Sequence, residues 1–316
     1  MRVRVLYHDH CFDGAASAAY FSRFISEHVH PGAEFAYTGM AHTADQIFED
    51  SLFDGDVNAI VDFKYSPNDR LNWWFDHHQS AFLTPADAEH FRQAQHPTKF
   101  LDTGYKSCTK FIADLTREKY GYQAAGLDDL VSWADIIDGA SYASAEEAVS
   151  LKSAATQLVL VIEAAKGSDT VQSIIRLMQS QPLEAIIQQP EIQAQYQPLY
   201  ARHLRSMGVI GDCAVSEKGV VFFDLVGKEL DGYNKFVPYY LHPEATYTVS
   251  VSEQPFRTKV SVGSSPWAAE VKHNLASICE RYGGGGHSRV GAISFPVGEI
   301  ERARQAAREI VAELQG

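Results

Sequence analysis

Cysteine is scarce and scattered in this chain: Cys11, Cys108, Cys213 and Cys279 stand far apart with no paired spacing. That argues against a disulfide framework and against a zinc knuckle, and reads as free thiols in a reducing compartment. Cations are in short supply as well. Lys and Arg number 27 against 40 Asp and Glu, a formal net charge of −13, and a generic grip on long nucleic acid needs the opposite balance. A short or single-nucleotide substrate survives this exclusion, because a bound divalent metal supplies locally the positive field that the composition lacks. Long apolar runs are missing too. The longest candidate, Leu158 to Ala165, contains Glu163 and falls far short of the roughly 18 residues a membrane span needs. Met1-Arg2-Val3-Arg4 runs into a strand pattern without an apolar signal core, so the expected location is cytoplasmic and away from membranes. No internal repeat or low-complexity tract is visible. What remains is an ordinary composition, 45% hydrophobic and 21% charged over 316 residues, enough chain for two domains with proper cores.

Three apolar runs end in side chains that bind metals. Val3-Arg4-Val5-Leu6-Tyr7 delivers His8, with Cys11 and Asp13 just beyond; Val57-Asn58-Ala59-Ile60-Val61 delivers Asp62; Leu71-Asn72-Trp73-Trp74-Phe75 delivers Asp76-His77-His78. In an open parallel sheet the carboxyl ends of the strands line one edge, where ligands bind. Three strands bringing carboxylate and imidazole to that edge read as a divalent-metal site. The intervening pattern suits such a sheet. A helix is expected from Asp13 to about His28, with Asp13 as its cap and Gly14 letting the backbone approach a ligand. A strand is expected over Glu34 to Tyr37, and a helix around Ala44 to Leu52. Alternation at this spacing indicates crossover units. Trp73 and Trp74 are expected to pack on opposite faces of a doubly covered sheet.

From about Lys106 to Ser180 the periodicity is helical almost throughout. Phe111, Ile112 and Leu115 form one stripe, and Leu127, Leu130, Val131, Ala134 and Ile137 another. The Gln-rich stretch Gln181 to Gln197, with Pro182 and Pro190 and then Pro198, suggests a domain joint. Beyond it, strands are expected over Val220 to Val226, Thr246 to Ser252, Thr258 to Val262 and Ala292 to Phe295, with helices over Trp267 to Tyr282 and Glu299 to Leu314. The aromatic group Tyr233, Phe236, Tyr239 and Tyr240 is expected to be core. The fold class is therefore α/β: an N-terminal doubly wound, mainly parallel sheet joined by helices to a smaller C-terminal α/β domain. The second domain carries Gly283-Gly284-Gly285-Gly286-His287-Ser288-Arg289. Bare amides beside a His, a Ser and an Arg suit an anionic group such as phosphate, although a plain flexible loop also fits a glycine run.

These motifs resemble the DHH/DHHA1 phosphoesterase family, which includes nanoRNases, RecJ-type exonucleases and cyclic-dinucleotide phosphodiesterases. Tyr7-His8 through Asp13-Gly14 matches the first motif, Val61-Asp62-Phe63 the second, Asp76-His77-His78 the third, Trp133 through Asp138 the fourth, and Gly284-Gly285-Gly286-His287 the DHHA1 signature. The resemblance implies a DHH metal-binding domain over 1–187, a linker over 188–206 and a DHHA1 substrate-binding domain over 207–316, with the active site between the domains. It implies one or two divalent ions, manganese first. His8, Asp13, Asp62, His77 and Asp135 match metal ligands, and Asp138, one helical turn on, is the alternative to Asp135. His78 matches the histidine that faces the scissile phosphate. Gly285, Gly286, His287 and Arg289 match substrate contacts. The implied partner is a short nucleic acid or dinucleotide rather than a long duplex, and a homodimer is compatible with it.

Two departures stand out. The first motif has Cys11 where many relatives have Asp, the His-x-x-Cys-x-Asp-Gly form; as a ligand it would favour Fe2+ or Zn2+. Asp9 and His10 are further polar candidates nearby. The Arg-Ser pair that usually precedes the glycine loop is missing, since Val260 to Ser265 contains no Arg. The leading expectation is a metal-dependent phosphodiesterase. A pyrophosphate or polyphosphate hydrolase and a catalytically degenerate nucleotide-binding protein are the alternatives.

Overall fold

The computed structural model describes residues 1–41, 48–94, 96–230 and 232–316. They divide into two compact units, Met1–Ser141 with Lys152–Leu199, and Tyr142–Leu151 with Tyr200–Gly316.

The first unit is built on a five-stranded sheet in the order β2-β1-β3-β4-β5, with every neighbouring pair parallel. The strands are β1 (Arg2–His8), β2 (Glu34–Met40), β3 (Val57–Val61), β4 (Trp73–Asp76) and β5 (Lys99–Leu101). Helix α1 (Phe12–Phe24) follows β1, α2 (Pro85–Ala94) precedes β5, and α3 (Cys108–Tyr120) and α4 (Asp128–Asp138) follow it. Every residue of β3 is buried, as expected for a strand covered on both faces. Asn58 is tolerated there because its amide is satisfied: Oδ1 accepts from Gly55 N, and Nδ2 donates to the carbonyls of Gly55 and Arg70. Alternation along β4 sends Trp73 and Phe75 against Phe21 of α1, at ring separations of 6.0 and 5.9 Å. Trp74 goes to the other face, against Tyr65 and Phe91. Complete burial of such a side chain stabilises the fold by on the order of 4–6 kcal/mol.

Several local expectations change. The first helix starts at Phe12 and its cap position is Cys11; Asp13 lies in its first turn and caps nothing in α1. Gly14 is required by the strand before it: a Cβ there would lie 2.0 Å from the His8 carbonyl oxygen, so glycine is what lets α1 fold back on the end of β1. The strand β5 was not legible in the sequence. Of the helix expected around Ala44 to Leu52, residues 42–47 lie outside the described residues, and Asp50–Leu52 forms a single 3-10 turn.

Between α4 and the next helices of the first unit, α5 (Ala145–Val149) belongs to the second unit. The chain then returns through α6 (Ala154–Ala164), α7 (Asp169–Met178) and α8 (Leu183–Ile187) before the 24-residue α9 (Pro190–Cys213), which contains Pro198. The second unit carries β6 (Val215–Glu217), β7 (Val220–Asp224), α10 (Val237–Leu241), β8 (Tyr247–Gln254), β9 (Arg257–Ser264), α11 (Leu275–Glu280), β10 (Gly285–His287), β11 (Val290–Phe295) and α12 (Ile300–Leu314). Its sheet order is β10-β11-β9-β8-β7-β6, antiparallel except for the β7–β8 pair. The core of this unit includes Val249, Val251, Val260 and Ile293 from the sheet, and Ala303, Ala307, Ile310 and Leu314 from α12. Phe236 and Tyr239 are buried, whereas Tyr240 is exposed. The helix expected over Trp267 to Tyr282 shrinks to α11. Ahead of it, the amides of Lys272 and His273 donate to the Tyr247 hydroxyl, and Asn274 caps the short helix through Ser277 N. Among the described residues no helix is long and apolar enough to cross a membrane.

Candidate metal centre

The strand order reverses at β1: the chain runs from β1 outward to β2 and returns to β3 on the other side. Such a switch point opens a crevice at the carboxyl edge. His8 ends β1, and Asp62 follows β3, whose Val61 is in register with Tyr7. Asp76 ends β4, whose Phe75 is in register with Val61, and His77 comes next. The topology therefore places all three strand-end motifs at one level of one edge.

Asp62 is the pivot. Its backbone takes φ +56°, left-handed for a non-glycine residue, and its amide donates to Phe75 O at 2.9 Å. Such a conformation costs on the order of 1–3 kcal/mol and persists where the surroundings over-determine it. Its side chain is 1% exposed, and both carboxylate oxygens are buried without a hydrogen bond. The nearest groups are imidazole nitrogens, His77 Nε2 at 3.3 Å from Oδ1 and His8 Nδ1 at 3.4 Å from Oδ2. Burial pushes the Asp62 carboxyl up, but those imidazoles prevail and hold it at about 2.

His77 faces three carboxylates with one atom. Nε2 lies 3.3 Å from Asp62, 3.5 Å from Asp138 and 3.8 Å from Asp13, while Nδ1 donates to the Tyr105 carbonyl at 3.1 Å. A backbone carbonyl behind the ring orients the opposite nitrogen for a cation. Burial works against the imidazolium, yet Asp62 and Asp13 outweigh it and raise the group to about 10. Asp13 is completely buried. Its carboxylate accepts from Cys108 N at 2.6 Å, Thr109 N at 3.0 Å and Thr109 Oγ1 at 2.6 Å. It thus sits at the amide-rich start of α3, where negative charge is stabilised. Even so, burial and then the charges of Asp62 and Asp138 push it well above the usual carboxylate range. Asp138, whose side chain keeps 30% of its surface in solvent, is raised to about 6 by burial and by Asp62. Carboxylates crowded enough to raise one another leave negative charge that a cation would balance.

The structure brings Asp138, and not Asp135, to this cluster. Asp135 instead accepts from Ser107 Oγ at 3.4 Å and lines a cleft with Lys110, Asp114 and Arg117. Cys11 belongs with His8 and Asp62 in a group whose donor atoms all lie within 4.8 Å of one another; Asp13, His77 and Asp138 form a second such group, and Asp62, His77 and His78 a third. Burial, followed by the neighbouring carboxylates, raises the Cys11 thiol well above its ordinary value. Asp9 turns away, accepting from Tyr7 Oη, His10 N and Ser168 Oγ, and His10 faces the Ile162 carbonyl.

Asp76 is the site residue whose role the sequence does not convey. Its Oδ1 accepts from His77 N at 2.8 Å, His78 N at 3.2 Å and His78 Nδ1 at 2.7 Å, so it orients the two histidines that follow it. Burial lowers His78, but Asp76 and Asp62 prevail and leave it raised. The acid before a His pair was the available signal. Thr109 and the Tyr105 carbonyl, in contrast, carry no sequence signature.

In the second unit the glycine run is not a free loop but the edge strand β10 and the turn before it. Gly284 and Gly286 are demanded by backbone: an added Cβ would lie 2.3 Å from Ala292 O and 2.2 Å from Val290 O, and Gly286 has φ +152°. Gly285 differs, since a Cβ there would meet nothing within 4 Å. His287 is exposed. Arg289 donates from Nη2 to Ser265 O at 2.6 Å, and its own carbonyl accepts from Ser264. This arginine therefore abuts the segment that lacks one in its own sequence.

No protein-family model and no curated protein matches the chain. Solved structures do. A pGpG-specific phosphodiesterase, PggH, from Vibrio cholerae aligns at a TM-score of 0.71 and 17% identity, covering 99% of this chain and 100% of that one. A DHH domain from a protein assigned to a ribosomal-protein family aligns at 0.54 and 12% identity, covering 100% of this chain and 87% of that one. RecJ from Thermus thermophilus, solved with Mn2+, aligns at 0.52 and 14% identity, covering 99% of this chain and 52% of RecJ. The chain has the α/β fold of the DHH/DHHA1 phosphoesterases.

Proposed function

We propose that this chain is a metal-dependent phosphodiesterase that hydrolyses short oligonucleotides or dinucleotides. The observation that carries the reading is Asp62, a strained, fully buried carboxylate without a hydrogen bond, at a sheet switch point among His8, Cys11, Asp13, His77 and Asp138. Orphaned acceptors, crowded acids and an imidazole aimed by a backbone carbonyl fit a divalent ion, manganese first. His8, Cys11, Asp13, Asp62, His77 and Asp138 would hold it. When bound, such an ion lowers the pKa of water and neutralises charge on phosphoryl oxygens.

The chain's own residues do the rest. Asp62 stays ionised and ties the donor groups together. Asp76 holds His78 by Nδ1, which leaves Nε2 as the atom to stabilise the phosphate or pass a proton. His287, with the backbone of Gly285 and Gly286, contacts the substrate through the second unit. The net charge of −13 favours a short substrate, and full two-way coverage of a pGpG-specific phosphodiesterase makes a linear dinucleotide the first choice.

The test is a substrate panel of pGpG, a cyclic dinucleotide, a short oligoribonucleotide and pyrophosphate, each with Mn2+, Fe2+, Zn2+ and Mg2+. Diester cleavage is expected with at least one ion. Cleavage of pyrophosphate alone, or nucleotide binding with no turnover under any ion, contradicts the proposal.

A further inference from the structure

The donors at the strand edge include two groups that share no residue. One is His8, Cys11 and Asp62; the other is Asp13, His77 and Asp138. They differ in chemistry. Two carboxylates and an imidazole suit manganese or magnesium, whereas exchanging an oxygen for sulfur suits iron, cobalt or zinc. A cysteine alone says little, but this group also contains the buried, hydrogen-bond-free carboxylate of Asp62, a second and independent sign of a cation. The groups adjoin where Asp62 Oδ1 lies 3.3 Å from His77 Nε2, yet each has its own set of atoms.

We infer that the centre has two chemically unlike positions: the His8–Cys11–Asp62 position takes a thiophilic divalent ion, and the Asp13–His77–Asp138 position takes manganese or magnesium. The inference rests on the metallohydrolase reading above and adds which ion sits where. Binding at the first position forms one Sγ–metal bond and releases the thiol proton to solvent, with no change of oxidation state.

Cobalt(II) is the probe, titrated into the full-length protein and into Cys11→Ser and Cys11→Asp. A thiolate-to-cobalt charge-transfer band in the near ultraviolet is expected to saturate at one equivalent in the parent chain and to be absent from both variants. Mn2+ added to the one-cobalt protein is expected to bind, read by electron paramagnetic resonance, without erasing the band. In competition, Cys11→Asp should shift preference toward Mn2+ by at least about tenfold, the lower end of what altered coordination typically costs. Thermal melts report whether each variant is folded, and the isosteric Cys11→Ser keeps the comparison meaningful should Cys11→Asp fail. A parent chain that binds cobalt without the band, a band that survives Cys11→Ser, or equal Mn2+/Co2+ preference in parent and Cys11→Asp overturns the inference. If in those cases pGpG is still cleaved, the phosphodiesterase reading stands; a chain that binds no divalent ion overturns both.

Discussion

Asp138 and Asp135 lie one turn apart on α4, and the difference between them is where the residue scale becomes testable. Asp138 faces His77 Nε2 at 3.5 Å, whereas Asp135 is turned to Ser107. Asp138→Ala should lower metal affinity by on the order of 10–100-fold or more, while Asp135→Ala should leave it near the parent value, read by calorimetric titration with Mn2+. The reverse ranking would show that the helix is rotated from the position described. Sequence could not choose between them, because helical periodicity puts positions 135 and 138 on adjoining faces. The rotation is set by the burial of Leu130 and Ala134. Asp76 gives a second expectation. Asp76→Asn keeps acceptors for the His77 and His78 amides but weakens the charge-assisted bond to His78 Nδ1, worth about 1.5–3 kcal/mol. Turnover should then fall by on the order of tenfold or more while bound metal, measured by elemental analysis, stays at the parent level. Loss of metal in that variant would make Asp76 a ligand rather than a positioning residue.

At the scale of elements, glycines separate fold from function. Gly14→Ala would ordinarily favour a helix by about 1 kcal/mol, but here the new Cβ meets the His8 carbonyl at 2.0 Å. The variant should lose about 1–3 kcal/mol in denaturant unfolding and bind metal more weakly, since His8 must shift; a gain in stability would contradict the close approach. In the second unit, Gly286→Ala should destabilise the β10–β11 hairpin, whereas Gly285→Ala, with open space around it, should leave stability within about 0.5 kcal/mol. If Gly285 approaches the substrate, that second variant should raise KM for pGpG at unchanged metal content. An unchanged KM would remove Gly285 from the proposed substrate contacts. The elements most legible in sequence were those with one dominant signal. The strands ending at His8, Asp62 and Asp76 were read as apolar runs, and α12 as an amphipathic helix. Short β5 carries only Lys99, Phe100 and Leu101, and the region before α11 gives its amides to Tyr247, a partner twenty-five residues away that no local pattern reveals.

At the scale of the molecule, the second unit takes Tyr142–Leu151 out of the middle of the first. The segment is held by non-local bonds, from Trp267 Nε1 to Tyr142 O, Asn234 Nδ2 to Ala148 O and His203 Nε2 to Val149 O. Contacts of this kind leave no trace in composition or periodicity, whereas the ordered motifs and the distal glycine–histidine run were legible and led to the right fold. The crowded acids of the candidate metal centre also have a global consequence. An ion that binds only the native state should stabilise the chain by about 2.7 kcal/mol at 100 times its dissociation constant. Mn2+ should therefore raise the melting temperature and a chelator reverse the shift in calorimetry, and Asp138→Ala should diminish the response. The central claim, a metal-dependent phosphodiesterase centred on Asp62, is tested most directly by measuring pGpG turnover across a Mn2+ titration in the parent chain and in Asp62→Ala. Saturable, metal-dependent hydrolysis is expected, falling in the variant by on the order of a thousandfold, about 4 kcal/mol of barrier. Turnover that needs no metal, or that survives in Asp62→Ala at the parent rate, would contradict it.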